Sequence, residues 1–286
     1  DADYQRSRDA ELRCYYVRAL YGREQRQKAL DWTTDLWLSP RSQPKACDPI
    51  FDVWRTTPRF TEEIAWQRFD AAIKNNQRKL SRYLLRFFTG TNKRAAEAYY
   101  QVHTQPKRIT KRSRFARDNA KNRSIIQHGL MRLSRNGAED AAKAWARYAE
   151  THSFSPVQRS IIAEHIQVGL ARGGTFPSAA ERAQFTSSFA TQGLAEAALA
   201  QQNWEELVYW ASHLPSGEQS TQRWQYWWAR ALQQAASPQL SNTDTPNPQQ
   251  MLRQLAGQRH YYGFMAALAL DMPLQKLQEG TPKPPA

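Results

Sequence analysis

Ala198-Leu199-Ala200-Gln201-Gln202-Asn203-Trp204-Glu205-Glu206-Leu207-Val208-Tyr209-Trp210 decides the fold of this chain. An alanine-rich helical run stops at a polar turn. A second run then begins, with apolar residues recurring at three- and four-residue spacing and an aromatic about two turns in. The same plan stands elsewhere. Ala19-Leu20-Tyr21-Gly22 leads into Ala29-Leu30-Asp31-Trp32, and Phe87-Phe88-Thr89-Gly90 into Ala95-Ala96-Glu97-Ala98-Tyr99-Tyr100. Leu133-Ser134-Arg135-Asn136-Gly137 leads into Ala141-Ala142-Lys143-Ala144-Trp145. Gly or Asn at each turn suits the left-handed residue that ends many helices. No stretch alternates apolar and polar residues cleanly, so strands are not predicted. The expected fold is all-α, a right-handed superhelix of stacked helical hairpins with an irregular repeat, similar to tetratricopeptide arrays but off their consensus.

The 286 residues, 41% hydrophobic with 10 Trp, 12 Tyr and 11 Phe, can build a substantial core. Residues 1–280 read as one α-superhelical domain and residues 281–286 (Thr-Pro-Lys-Pro-Pro-Ala) as a proline-rich linker or tail. Ser39–Pro58, with four prolines, reads as a long connection between helices, and Ser237–Pro248, without periodicity, as a mobile loop. No apolar run reaches 18 residues, so no transmembrane segment is predicted. No secretory segment opens the chain, whose first residues are Asp1-Ala2-Asp3.

Forty Lys and Arg against 26 Asp and Glu give a net charge of +14, which draws polyanions by a field that salt weakens. Nucleic acid, anionic lipid and a carboxylate-bearing polymer all fit. The run Lys107, Arg108, Lys111, Arg112, Arg114, Arg117, Lys121, Arg123 reads as an anion clamp at Lys111, Arg112 and Arg114, or as a solvated face. Only Phe115 interleaves with it, so stacking of single-stranded bases is poorly supported. Trp224, Trp227 and Trp228 share one side of a helix and, with Trp204, Trp210 and Tyr226, suit either a sugar-stacking platform or the core between hairpins.

Cys14 and Cys47 could close a loop of about 34 residues worth roughly 3–4 kcal/mol, or could stay free thiols. The six histidines (His103, His128, His152, His165, His213, His260) show no metal-ligand spacing, and His165 on an apolar stripe reads as a core residue. No cofactor or metal is expected. The pairs Glu62/Glu63, Glu139/Asp140 and Glu205/Glu206 fall where helices begin, and the helix dipole accounts for them.

Gln222-Arg-Trp-Gln-Tyr-Trp-Trp-Ala-Arg-Ala-Leu232 followed by His260-Tyr-Tyr-Gly-Phe264 resembles the helical region of the soluble lytic murein transglycosylases. Leu12-Arg-Cys-Tyr-Tyr16 and Asp35-Leu-Trp-Leu-Ser-Pro-Arg-Ser-Gln-Pro-Lys-Ala-Cys-Asp-Pro49 resemble it more specifically. The resemblance implies a Cys14–Cys47 disulfide and a periplasmic, ring-forming superhelix holding peptidoglycan. A separate C-terminal lysozyme-like domain would cut the β-1,4 bond between N-acetylmuramic acid and N-acetylglucosamine, leaving a 1,6-anhydro end through a single Glu, unlike two-carboxylate glycosidases. That domain's Glu-Ser pair does not occur here, and Gly129-Leu130-Met131 is followed by Arg132 where the family has Gln. The chain is therefore expected to be non-catalytic, an internal piece of a larger enzyme, with peptidoglycan, the lysozyme-like domain and other cell-wall proteins as partners and no nucleic acid. A helical-repeat scaffold for proteins and an RNA-binding helical repeat are the alternatives.

Overall fold

The computed structural model describes residues 9–235 and 246–273. The tail at 281–286 and most of Ser237–Pro248 lie outside them. The described residues form helices joined by turns and short irregular stretches, with no strand, as the periodicity predicts. They divide into two compact units, Asp1–Arg132 with Arg147–Ser153, and Leu133–Ala146 with Phe154–Ala286.

The first unit holds α1 (Ala10–Gly22), α2 (Arg26–Trp37), α3 (Asp48–Arg55), α4 (Glu62–Lys74), α5 (Arg78–Leu84), α6 (Gly90–Thr104) and most of α7 (Ala120–Leu133). The boundary crosses α8 (Ala138–Thr151). The second unit continues with α9 (Pro156–Arg172), α10 (Ser188–Ala200), α11 (Trp204–Ser212), α12 (Ser216–Gln219), α13 (Gln222–Gln234), α14 (Pro248–Ala256) and α15 (Tyr261–Ala269). Helices pack mainly on their sequence neighbours: α1 on α2, α4 on α5, α9 on α10, α10 on α11, α14 on α15.

Side-chain caps set many helix starts. The Asp9 carboxylate accepts the Glu11 N–H at 2.8 Å, the Thr61 hydroxyl accepts Ile64 N–H, and Ser155 with Gln158 forms a capping box. Each predicted carboxylate pair stands in a first helical turn. Two expectations change. Within Ser39–Pro58 the chain makes a 3₁₀ turn at Lys45–Cys47 and then α3, because Pro49 sits in the first turn, where a missing N–H costs nothing. The left-handed residue between α10 and α11 is Gln202 (φ 54°), not Asn203, whose side chain caps α11 by accepting Glu206 N–H.

In the first unit the Trp37 ring meets Phe51, Phe60 and Phe87 edge-on at 5.3–5.6 Å, and Trp66, Phe69, Phe88 and Tyr99 form a neighbouring group. The Cys14–Cys47 disulfide (Cα–Cα 4.9 Å) joins α1 to the 3₁₀ turn, both half-cystines fully buried. The second unit has one core around Leu194, Leu207, Trp210 and Trp224 and another around Tyr226, Leu252 and Leu255.

The repeat that the sequence blurs is plain in the polar contacts. Arg59 donates to Asp31, the Thr89 N–H and hydroxyl to Glu62, Tyr99 to Asp70, Lys121 to Asn92, Gln201 to the Arg172 carbonyl and Arg223 to Glu196. Every one of these pairs is 27 to 29 residues apart in sequence. Other long polar bonds span 20 residues (Trp54 to Thr34) or 32 (Arg59 to Gln27), so the step is recurrent but not uniform.

His103 belongs to this set. Its Nε2 lies 3.1 Å from Asn76 Oδ1 and its Nδ1 3.1 Å from His128 Nε2. Burial, with Arg132 and Arg78 nearby, pushes its pKa down to about 4. The folded chain thus refuses a proton that the unfolded chain accepts below pH 6.5. Stability present above pH 6.5 is lost as pH falls toward 4, by about 2 kcal/mol between pH 6.5 and 5. His165, also shifted down by burial, adds in the same direction. Urea unfolding at these two pH values should show the loss, and His103→Gln should remove most of it; an unchanged slope in the variant would clear His103 of the effect.

Candidate functional site

The basic segment is not a helix. It consists of two 3₁₀ turns, Pro106–Thr110 and Arg112–Phe115, placed between α6 and α7. Two apolar side chains plug it into the first unit, Ile109 at 0% and Phe115 at 1% exposure. Its backbone is tied down as well. The Ile109 carbonyl accepts the Tyr148 hydroxyl at 2.8 Å and the Phe115 carbonyl faces His152 Nε2 at 2.9 Å. Burial pushes the Tyr148 pKa up to about 12 against the opposing charge of Arg112, so the phenol keeps its proton for that bond. Asp118 accepts the Ser153 N–H and pairs with Arg123, contacts that hold its carboxyl below the usual range.

These three long bonds span 39, 37 and 35 residues, and all come from the end of α8 and the two residues after it. The basic segment is a loop between two helices of the repeat, lying within the 29 residues that separate Lys121 from Asn92, and loops of repeat proteins often carry the binding face. It brings Lys111, Arg112 and Arg114 together on one rigid loop, all exposed and, among the described residues, in no ion pair. Arg114 Nη1 donates to Gln101 Oε1 at 2.7 Å, which aims it at a cleft of about 590 Å³ lined also by Arg94, Arg117, Asn119 and Asn122. Glu97 is the acidic residue on that wall. Arg94 lies on α6, one turn from Glu97 and outside the basic run, so no linear charge pattern singles it out. Chemically the arrangement can hold anions and no more. Among the described residues no group of three His, Cys, Asp or Glu is placed to bind a metal.

The tryptophans are elsewhere, in the second unit. Trp224 is 1% exposed, inside the core with Trp210, and cannot stack on a sugar, which corrects its reading as a platform. Trp224 shares its core with Leu194 of α10 and Leu207 and Trp210 of α11, whereas Tyr226 and Ala229 of α13 pack with Leu252 and Leu255 of α14. Trp227 is half-buried, edge-on to Tyr226 at 5.1 Å, and retains an accessible edge. His165 is half-buried, its Nδ1 2.9 Å from the Ile161 carbonyl and its ring stacked on Phe189. Gly129, opening the Gly-Leu-Met string, lies within α7. A Cβ there would meet Val102 Cγ1 at 2.6 Å and Ile109 Cγ1 at 2.9 Å, so close packing on α6 and the basic loop requires it.

No protein-family model matches the chain. The soluble lytic murein transglycosylase of Escherichia coli is 24% identical over 264 residues, 90% of this chain and 40% of that protein. The protein of the same name from Salmonella typhimurium is 24% identical over 267 residues, 91% of this chain and 40% of its own length. The chain thus spans about two fifths of the length of the curated relatives it matches. An inactive mutant of the lytic transglycosylase Slt from Pseudomonas aeruginosa has a similar fold, with a TM-score of 0.70 and 28% identity, covering 92% of this chain and 42% of that one. The 70 kDa soluble lytic transglycosylase from Escherichia coli gives a TM-score of 0.70 at 21% identity, covering 93% and 43%. Similar again is the 70-kDa soluble lytic transglycosylase in complex with bulgecin A, with a TM-score of 0.69. In sequence and in fold alike, the chain is similar to one part of a soluble lytic murein transglycosylase.

Proposed function

We propose that this chain is the non-catalytic superhelical scaffold of a periplasmic peptidoglycan lytic transglycosylase. It holds murein strands while a separate lysozyme-like domain cleaves the bond between N-acetylmuramic acid and N-acetylglucosamine. The observation that carries the reading is the basic loop anchored by the buried Ile109 and Phe115, whose Lys111, Arg112 and Arg114 are exposed and, among the described residues, in no ion pair, in a chain similar to lytic transglycosylases. Stem-peptide carboxylates meet Lys111, Arg112 and Arg114 there, and Trp227 offers a ring edge to sugar or peptide. A buried disulfide fits an oxidising compartment, and a cytosolic RNA-binding repeat would keep thiols free.

The test is incubation of the purified chain with intact sacculi. The protein is expected in the pellet, with no anhydromuropeptides released into solution. Replacing Lys111, Arg112 and Arg114 together by alanine is expected to weaken pelleting about tenfold at low ionic strength, the difference shrinking as salt screens the loop. Unchanged binding by the triple variant removes the loop from the mechanism. Release of anhydromuropeptides above a blank overturns the scaffold reading itself.

A further inference from the structure

Arg68 lies on the buried stripe of α4, three residues after Ala65 and four before Ala72, and is 3% exposed. Buried arginines ordinarily face a carboxylate, because an uncompensated charge out of water is costly. Among the described residues none pairs with this one. Its guanidinium lies over Trp37 at 4.4 Å and beside Phe51 at 5.7 Å. Its one hydrogen bond runs from Nη2 to the Arg41 carbonyl at 3.4 Å, and its Nε has no acceptor. The indole N–H of Trp37 is a second buried donor without an acceptor in the protein. Burial lowers the Arg68 pKa to about 10, which leaves the group cationic at neutral pH.

Both residues line one cleft of about 450 Å³, walled by Phe51, Leu80 and Tyr83. Its other charged lining groups are Arg55, Lys79, Asp48 and Asp52. Asp52 is taken by Arg55, so Arg68 and Lys79 stand against Asp48, one positive charge in excess. A guanidinium presents its donors in the planar fork that a carboxylate matches. The two aspartates on the wall disfavour a dianion such as phosphate, and the aromatic and aliphatic walls suit small apolar side chains beside the charged end.

We propose that this cleft is a subsite for the free terminal carboxylate of a short peptide, with Arg68 as the residue that recognises it. That the peptide hangs from a murein strand rests on the function proposed above; the carboxylate chemistry does not.

Calorimetric titration of the whole chain with N-acetyl-alanyl-alanine and with its C-terminal amide tests the proposal. The acid is expected to bind at least tenfold more tightly than the amide. Arg68→Met is expected to lose that preference while staying folded, since an apolar chain of similar length relieves a buried charge, and Arg68→Lys to keep part of it. Should Arg68→Met not fold, the Trp37 indole resonance of the unmodified protein decides, moving with the acid and not with the amide. Equal affinities, binding of neither, an unaltered preference in Arg68→Met, or tighter binding of inorganic phosphate than of the acid would each overturn the assignment. The dipeptide carries no glycan. Failure to pellet with sacculi while the dipeptide still binds therefore overturns the scaffold reading alone, and the reverse result overturns the subsite alone.

Discussion

Trp37→Ala is expected to destabilise the first unit by about 4 kcal/mol, the upper part of the range for truncating a buried tryptophan. The ring is 1% exposed and touches Phe51, Trp54, Phe60 and Phe87, with centroids 5.3–5.6 Å away. Three of the four contacts are edge-on, the geometry that favours opposed ring quadrupoles. Alanine would remove these contacts and leave a cavity among side chains from α2, α3 and the turns beyond them. It would also strip the nearer π face from Arg68, whose charge then has only the Phe51 ring at 5.7 Å and no carboxylate. Trp37→Phe, keeping a ring, should recover more than half of the loss. Equilibrium urea unfolding followed by far-ultraviolet circular dichroism gives both numbers. A loss under about 1.5 kcal/mol for Trp37→Ala would show that the aromatic group is not a cooperative core.

Breaking the Cys14–Cys47 link is expected to cost about 3–4 kcal/mol and to lower Tm by roughly 10 °C. The effect comes from the unfolded chain, which regains the freedom of a loop of 33 residues' separation. A paired Cys14→Ser and Cys47→Ser variant should match the reduced wild type closely, apart from the small penalty of two buried hydroxyls where the half-cystines are 0% exposed. Calorimetry with and without reductant, with the thiols counted by mass, measures it. A Tm that stays put after complete reduction would mean that α1 and the 3₁₀ turn are held by packing alone.

The fold was legible because the hairpins repeat a local pattern. Stripes such as Ile64, Ala65, Phe69, Ala72 and Ile73 mark buried faces directly, and all but Ile64 are buried. Helix starts were legible from carboxylates in first turns. Proline misled at Pro49, because its presence says only that the residue donates no N–H, and the first turn of α3 asks for none. The tryptophans on α13 misled for a related reason. A shared helix side looks the same in sequence whether it meets water or a neighbouring helix, and Trp224 is buried with residues of α10 and α11. The loop Lys111–Arg114 was visible as charge, but its anchoring was not, since Tyr148 and His152 reach the flanking Ile109 and Phe115 carbonyls from 39 and 37 residues away. Arg68 carried a signal that went unread: a cation in the middle of an apolar stripe.

The 27-to-29-residue spacing that recurs among the long polar bonds has an evolutionary reading. Each donor of this set finds its acceptor 27 to 29 residues earlier, so these contacts recur in steps of similar size. Duplicating one step would re-create equivalent partners on both sides of the copy, whereas gaining or losing half a step would face every donor with the wrong element. Chains of this kind can therefore lengthen by whole modules while their sequences drift apart, and the register outlives any consensus.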